Sequence, residues 1–370
     1  MRSLKLKFGV ASATRAFGLA TVMTAAWLAA DAAQGRAVAQ VSTVTCYDPY
    51  YGGGSISANK LPAGETAYYY TPCPENPGAA IDKIAGERVR NMVQNAQFAR
   101  ILLGSYEQIN CINTCISAFG SVGSFSAGFH GRKYLTDRLS ILGGFSINEY
   151  KSGTVSSRSA LIAAMALRYD FVDWGKSRPF FEFGGSMSPT EKTKSVRTYT
   201  VAGLPFVSAV KARSETYMVY GRMGWVWRVT PRDEFSIFGD LVRQWHIAGR
   251  ATETGGVANP FPAVYLPGTD TMNVVRITAQ HVHLFGSRVE LHVNAGVSHS
   301  FDVQSGLKAV IAPLGLFTPT LQNKTWFEYG ARVGFRINKS LTLDTFLIGA
   351  SGPKPIGNSL HGGMGIRAVF

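Results

Sequence analysis

From near Gly120 to the last residue, apolar and polar positions alternate almost one for one. The clearest stretch is 325–337. Phe327, Tyr329, Ala331, Val333, Phe335 and Ile337 share one face there, and Glu328, Gly330, Arg332, Gly334 and Arg336 share the other. Side chains of a strand point to opposite faces in turn, so this period of two predicts strands with one apolar face. The split recurs in 288–301, with Val289, Leu291, Val293, Ala295 and Val297 opposite Arg288, Glu290, His292 and Asn294. It recurs again in 215–229 and 160–171. Strands are expected at 124–133, 139–150, 158–171, 179–188, 215–229, 234–249, 272–284, 288–301, 325–337, 341–351 and 360–370. Most exceed the five or six residues usual in soluble sheets and reach the roughly 9–11 that a tilted strand needs to cross a bilayer.

The connections alternate in length. Short ones fall near 135–138, 172–178, 230–233, 285–287 and 338–340; longer ones near 151–157, 189–214, 250–271, 302–324 and 352–358. Short turns on one side and long loops on the other mark a membrane barrel, and Tyr169, Trp225 and Trp227 stand at short-turn ends where an interfacial aromatic girdle belongs. A closed single-chain barrel takes an even number of strands. If Phe370 ends in the periplasm, one upward strand must precede 124–133, and 104–112 is the available segment. The expected fold is all-β: an antiparallel up-and-down transmembrane barrel of about twelve strands over 104–370. Ahead of it the period is helical. Asn76-Pro77 opens, Gly104 stops, and Ile81, Ile84, Ala85, Val89, Met92, Val93, Ala96, Ala99 and Leu103 recur at three- and four-residue steps. A helix over 77–103 would be about 40 Å long, the height of a barrel, which makes it a candidate pore plug.

Composition narrows the class. Charged residues are 16% of the chain, below the roughly 25% of soluble domains, while glycine (40 residues) and aromatics (12%) are abundant. Beyond the N-terminus no run reaches the ~18 apolar residues of a transmembrane helix. Arg2, Lys5, Lys7 and Arg15, the apolar stretch 16–30 and Ala37-Val38-Ala39 form a secretory signal, so residues 1–39 are expected to be removed. They carry five basic residues and one acid, and their loss lowers the net charge from +14 to +10. Residues 40–76, rich in Gly, Pro, Tyr, Ser and Thr, read as a loop-rich exported or periplasmic segment. Four cysteines suit an oxidising compartment. Cys46 with Cys73 and Cys111 with Cys115 is the pairing favoured by proximity, although three connectivities are open.

The chain ends inside a strand, with Met364, Ile366, Ala368 and Phe370 on one face; this is the expected signal for the β-barrel assembly machinery. The Gly- and aromatic-rich stretch 124–146 (SFSAGFHGRKYLTDRLSILGGFS) and the closing 362–370 (GGMGIRAVF) make the last two-thirds of the chain resemble the autotransporter β-domain. That resemblance implies a translocator barrel of twelve strands, a helix in its pore and a passenger exported to the cell surface. The passenger-like segment here, 40–76, is far shorter than those of the family.

The side chains offer little catalytic material. His281 and His283 fall on the lipid-facing parity and His292 on the opposite one, so the three are not expected to converge on a metal. No G-x-S-x-G or phosphate-binding loop occurs, and neither enzyme activity nor a cofactor is expected. The chemistry lies in the inward ionisable set: Arg168, Asp170, Glu182, Arg222, Arg228, Asp240, Arg276, Glu290, Glu328, Arg332, Arg336, Asp344 and Arg367. These should line the lumen, with Lys83, Glu87, Arg88 and Arg90 of the helix pairing to Glu182, Glu290, Glu328 and Arg332 or Arg336. The expected partners are outer-membrane lipid, lipopolysaccharide and the assembly machinery, with no nucleic acid, for a monomer in the cell outer membrane. Two functions fit: a translocator-like barrel with a very short passenger-like segment, or a small diffusion channel or structural outer-membrane protein with a periplasmic appendage.

Overall fold

The computed structural model describes residues 74–104, 114–122, 126–201, 203–256, 258–312 and 314–370. The expected signal peptide, the segment 40–73 and three of the four cysteines lie outside these residues.

A short strand, Pro74–Glu75, leads into helix α1, Pro77–Leu102. Asn76 sits at its N-cap in the left-handed region (φ 47°) and Pro77 occupies the first turn, where a missing N–H costs nothing. Twelve long strands follow: β1 Thr114–Val122, β2 Ser126–Tyr134, β3 Leu139–Ser152, β4 Val155–Asp170, β5 Ser177–Val201, β6 Leu204–Thr230, β7 Asp233–Ala248, β8 Gly268–Phe285, β9 Val289–Gln304, β10 Thr325–Arg336, β11 Leu341–Ser351 and β12 Asn358–Val369. Each pairs antiparallel with its sequence neighbours, and β12 pairs with β1, Ala368 opposite Ile116, so the sheet closes. Closure leaves no barrel edge to be satisfied, which is the condition for strands inside hydrocarbon.

Parity holds through the wall. Met165, Leu167, Phe183, Met223, Leu241, Ile277, Phe335 and Met364 are exposed on the outer surface, while their strand neighbours Ala166, Glu182, Arg222, Asp240, Arg276 and Arg367 are buried. Exposed apolar side chains around a whole barrel are stable only against lipid, and buried charges only against partners inside.

Three expectations on connectivity are corrected. The first strand is β1 at Thr114–Val122 and not 104–112, so Cys115 starts an ascending strand at the short-turn end instead of lying in a first long-loop turn. The segment 189–214 is no loop; β5 and β6 continue through it as a paired ribbon, Val201 opposite Leu204, turning at Gly203 (φ 76°). The segment 151–157 is a tight hairpin, with Gly153 at φ 46° between β3 and β4. Two of the three remaining long connections, 250–271 and 302–324, form a second sheet at the same end, ordered 315–317, 308–311, 263–266 and 251–252.

Candidate functional site

Inside the barrel α1 runs from the long-loop end down to mid-height. At its start Gly78 faces the Phe317 ring, and Arg88 pairs with Asp270 at 3.5 Å. Two residues on, Arg90 donates to the carbonyl of Asn358 (2.8 Å), and about two turns beyond Arg88, Asn95 donates to Glu191 (2.9 Å). At its end Phe98 meets the His361 ring (5.3 Å), and Arg100 pairs with Glu328. The helix is buried nearly all round. Val89, Met92, Val93, Phe98 and Leu102 pack against Leu142, Ile162, Met218, Tyr220 and Trp326, and the polar side chains Asn91, Gln94 and Gln97 are buried too. Two cavities between helix and wall have volumes of about 20 and 30 Å³, space for about one water each.

Below the helix the lumen is filled by charge in alternation. Asp170 takes Arg168 at 2.9 Å and Arg132 at 3.5 Å. Arg168 reaches Glu182 at 4.0 Å, Glu182 takes Arg222 at 3.1 Å, and Arg222 binds Asp240 at 2.6 Å. Asp240 then binds Arg276, which reaches Glu328 at 3.5 Å and so joins the helix through Arg100. A second cluster closes the remaining arc: Arg332 with Glu290, and Arg367 with Glu290 at 3.6 Å and Asp344 at 3.2 Å. Tyr220 donates to Glu182, and Arg168 stacks on Phe180 at 3.7 Å. Every second residue of a strand faces inward, so neighbouring strands present these side chains to one another in register: Arg168 opposite Glu182, Glu182 opposite Arg222, Arg222 opposite Asp240, Asp240 opposite Arg276.

Eleven of the thirteen expected lumen charges are therefore buried in this girdle, whereas Arg228 is exposed and Arg336 half-buried at the short-turn mouth. Arg228 lines a vestibule of about 940 Å³ there, with Lys176, Arg178, Arg232, Asp173, Asp233 and Glu234. Arg336 ends β10 and Arg228 stands two residues before the end of β6, where the wall ends and water begins. The helix partners also differ from expectation. Glu182 and Glu290 are taken by barrel arginines, and the helix contacts are Arg88 with Asp270, Asn95 with Glu191 and Arg100 with Glu328. Glu87 lies beside Gly153, and Lys83 is exposed. Arg132 joins the girdle although its segment reads as a Gly-rich hairpin.

His281 and His283 point outward near the short-turn rim and share Asp233 (3.3 and 2.6 Å), while His292 is buried on the other face. Among the described residues no three His, Cys, Asp or Glu side chains gather as metal ligands. Cys115 is buried and disulfide-bonded, to a partner outside the described residues. Met364, Ile366 and Phe370 are exposed on the outer wall, and Ala368 is half-buried between them.

At the long-loop end a second buried site appears that the sequence reading did not contain. Arg197, on the β5 extension, holds Glu253 through two hydrogen bonds (3.0 and 2.6 Å) and donates to the carbonyl of Phe261. Glu253 also accepts from Tyr265 (2.8 Å) and the Ala263 amide (3.0 Å). Burial alone would raise the Glu253 carboxyl, but the hydrogen bond and charge of Arg197, with the Ala263 and Tyr265 donors, hold it below its ordinary value. This clasp ties the ribbon to the second sheet, over an apolar cluster that includes Ile81, Ile84, Phe261, Tyr265 and Ile311.

No family model and no curated protein sequence matches the chain. Solved structures do. The translocator domain of the autotransporter NalP from Neisseria meningitidis is similar with a TM-score of 0.55 over 77% of this chain and 98% of that domain, at 9% identity. The β-domain of the Bordetella autotransporter BrkA (TM-score 0.42, 12% identity, 70% and 98% covered) and the monoaromatic hydrocarbon channel CymD (0.43, 10%, 70% and 87%) are more distant. The fold is thus that of an autotransporter translocator domain, a closed twelve-stranded antiparallel barrel preceded by one helix.

Proposed function

We propose that this chain is an outer-membrane barrel of the translocator type that carries its own short N-terminal segment to the cell surface and then closes around α1. The observation that carries this reading is the path of the chain. Pro74–Glu75 forms a strand against Val201 and Thr200 at the tip of the β5–β6 ribbon, and the Glu75 carboxylate accepts from the Thr200 hydroxyl (3.1 Å) and the Gly203 amide (3.2 Å). With short turns in the periplasm and long loops outside, Pro74 stands at the outer face, which supports export of the segment that precedes it. A helix packed into the lumen and salt-bridged to its wall then seals the route. The mature chain meets lipid and lipopolysaccharide through its apolar wall, and its last strand, ending at the exposed Phe370, serves as the recognition segment for the assembly machinery. It works as a monomer, a reading supported by closure of the barrel, which leaves no barrel edge for strand addition.

The diffusion-channel reading draws on the vestibule of about 940 Å³ at the short-turn mouth. The girdle and the helix stand between that vestibule and the other face, which favours the translocator reading. An epitope inserted at residue 55 separates the two. On intact cells it should be removed by added protease while a periplasmic marker survives. Protection of the epitope until the outer membrane is permeabilised would sink the proposal.

A further inference from the structure

On the outward face of β4, β5 and β6, just beyond the apolar wall, five cations stand side by side. Arg158, Lys192 and Arg213 lie in one register row, Arg158 opposite Lys192 and Lys192 opposite Arg213; Lys194 and Lys211 face each other in the next. All five are exposed, and none makes an ion pair with a described residue. The acids nearest along this face are Glu215, which accepts from the Tyr217 hydroxyl (2.8 Å), and Glu149 on β3. Like charges opposite one another destabilise a sheet, so the row has no structural reason of its own.

Its height along the barrel identifies what would neutralise it. The outward face of β6 runs Arg213, Glu215, Tyr217, Val219, Met223, Trp225, Trp227, with Val219, Met223 and Trp225 exposed. From Trp227 to Tyr217, at ~3.4 Å per residue and a tilt of about 40°, the vertical rise is about 26 Å. That equals the height of a barrel's lipid-facing band, and Tyr217, paired with Trp245 on β7, marks its upper rim. Arg213 stands about 10 Å higher, at headgroup depth. The cations are on the wall itself and flush with the lipid surface, so an acidic protein or nucleic acid approaching from solvent would meet the headgroups first.

We infer that Arg158, Lys192, Lys194, Lys211 and Arg213 form a binding patch for the phosphates of an outer-leaflet glycolipid of the lipopolysaccharide class. Two or more phosphates carried on a rigid sugar backbone would bridge neighbouring strands, tying the base of the β5–β6 ribbon to the membrane surface. This deepens the functional reading, because it needs the long-loop end to be the outer one; binding in detergent is measured independently of that orientation.

The test is binding of purified bis-phosphorylated lipid A to the full-length mature barrel in detergent micelles, read by native mass spectrometry. The same lipid dephosphorylated, the variant Lys192→Gln/Lys211→Gln/Arg213→Gln and the control Lys308→Gln/Lys354→Gln complete the set. Wild type and control should bind alike. The triple variant and the dephosphorylated lipid should each bind at least about tenfold more weakly, and added salt should weaken the wild-type and control complexes more than these residual ones. A folded triple variant, recognised by unchanged heat-dependent gel mobility, that binds as tightly as wild type overturns the inference. So does equal binding of the dephosphorylated lipid.

Discussion

Arg197 and Glu253 are both almost fully buried, outside the membrane-spanning part of the strands, and each satisfies the other. Removing one partner leaves the other charged and unpaired, a loss of about 3–5 kcal/mol. Arg197→Met should therefore release the 249–267 connection, seen as protease cleavage there in the folded protein, whereas Arg197→Met/Glu253→Met should cost less than either single change. The pH dependence has a definite sign. The Glu253 carboxyl is depressed on folding, so its contribution is fully present above its unfolded pKa, about 4.3, and is lost as pH falls through the lowered value. Cleavage should be absent near neutrality and appear below about pH 4; cleavage that rises toward alkaline pH would contradict this assignment. At the other end of the chain, Phe370→Asp should lower barrel levels in the membrane more than it lowers synthesis, measured by heat-modifiable protein against total protein. Equal membrane levels would mean that the terminus is not read during assembly. Lumen side chains such as Arg168, Glu182 and Arg222 were legible because parity alone assigns a face. Arg197 and Glu253 were not, since neither lies in a segment with an apolar face to set the phase.

The same reason explains which elements could be read. Strands such as β10 and β9 announce themselves because lipid requires one apolar face. The ribbon at 189–214 stands above the hydrocarbon band: outward it carries Lys192, Lys194, Lys211 and Arg213, inward Glu191, Thr193, Ser195 and Arg197, so hydrophobic periodicity falls silent although the pairing continues. Helix α1 was legible in extent, 77–103 against Pro77–Leu102, because its apolar spacing and terminal signals agree. Its partners were not, since parity gives a face but no height. One contact is a sharp test of the docking. Gly86 approaches Pro355 so closely that an added Cβ would lie 2.8 Å from the proline's own Cβ. Gly86→Leu should push the outer half of α1 from its seat, measured as faster amide exchange over 78–90 with the girdle below undisturbed. Unchanged exchange would show that the loop at 352–357 yields without effect on the helix.

At the scale of the whole molecule, lipid outside, a charged girdle within and a helix above it support the proposed reading of a barrel closed around α1 after export. Ion pairs buried in a packed lumen brace the wall, and their removal one at a time is costly. The parity of the wall and the closing strand were readable from the sequence because lipid requires one apolar face on each strand, and the even count because single-chain bacterial barrels have even numbers of strands. The filling of the lumen was not, since it depends on how far α1 descends and which charges it meets. The most direct measurement is single-channel conductance in a planar bilayer, comparing the mature barrel with a form lacking residues 77–102. Wild type should be nearly silent, and removal of the helix should raise conductance severalfold; an open wild-type pore whose conductance does not change on deletion would contradict the account.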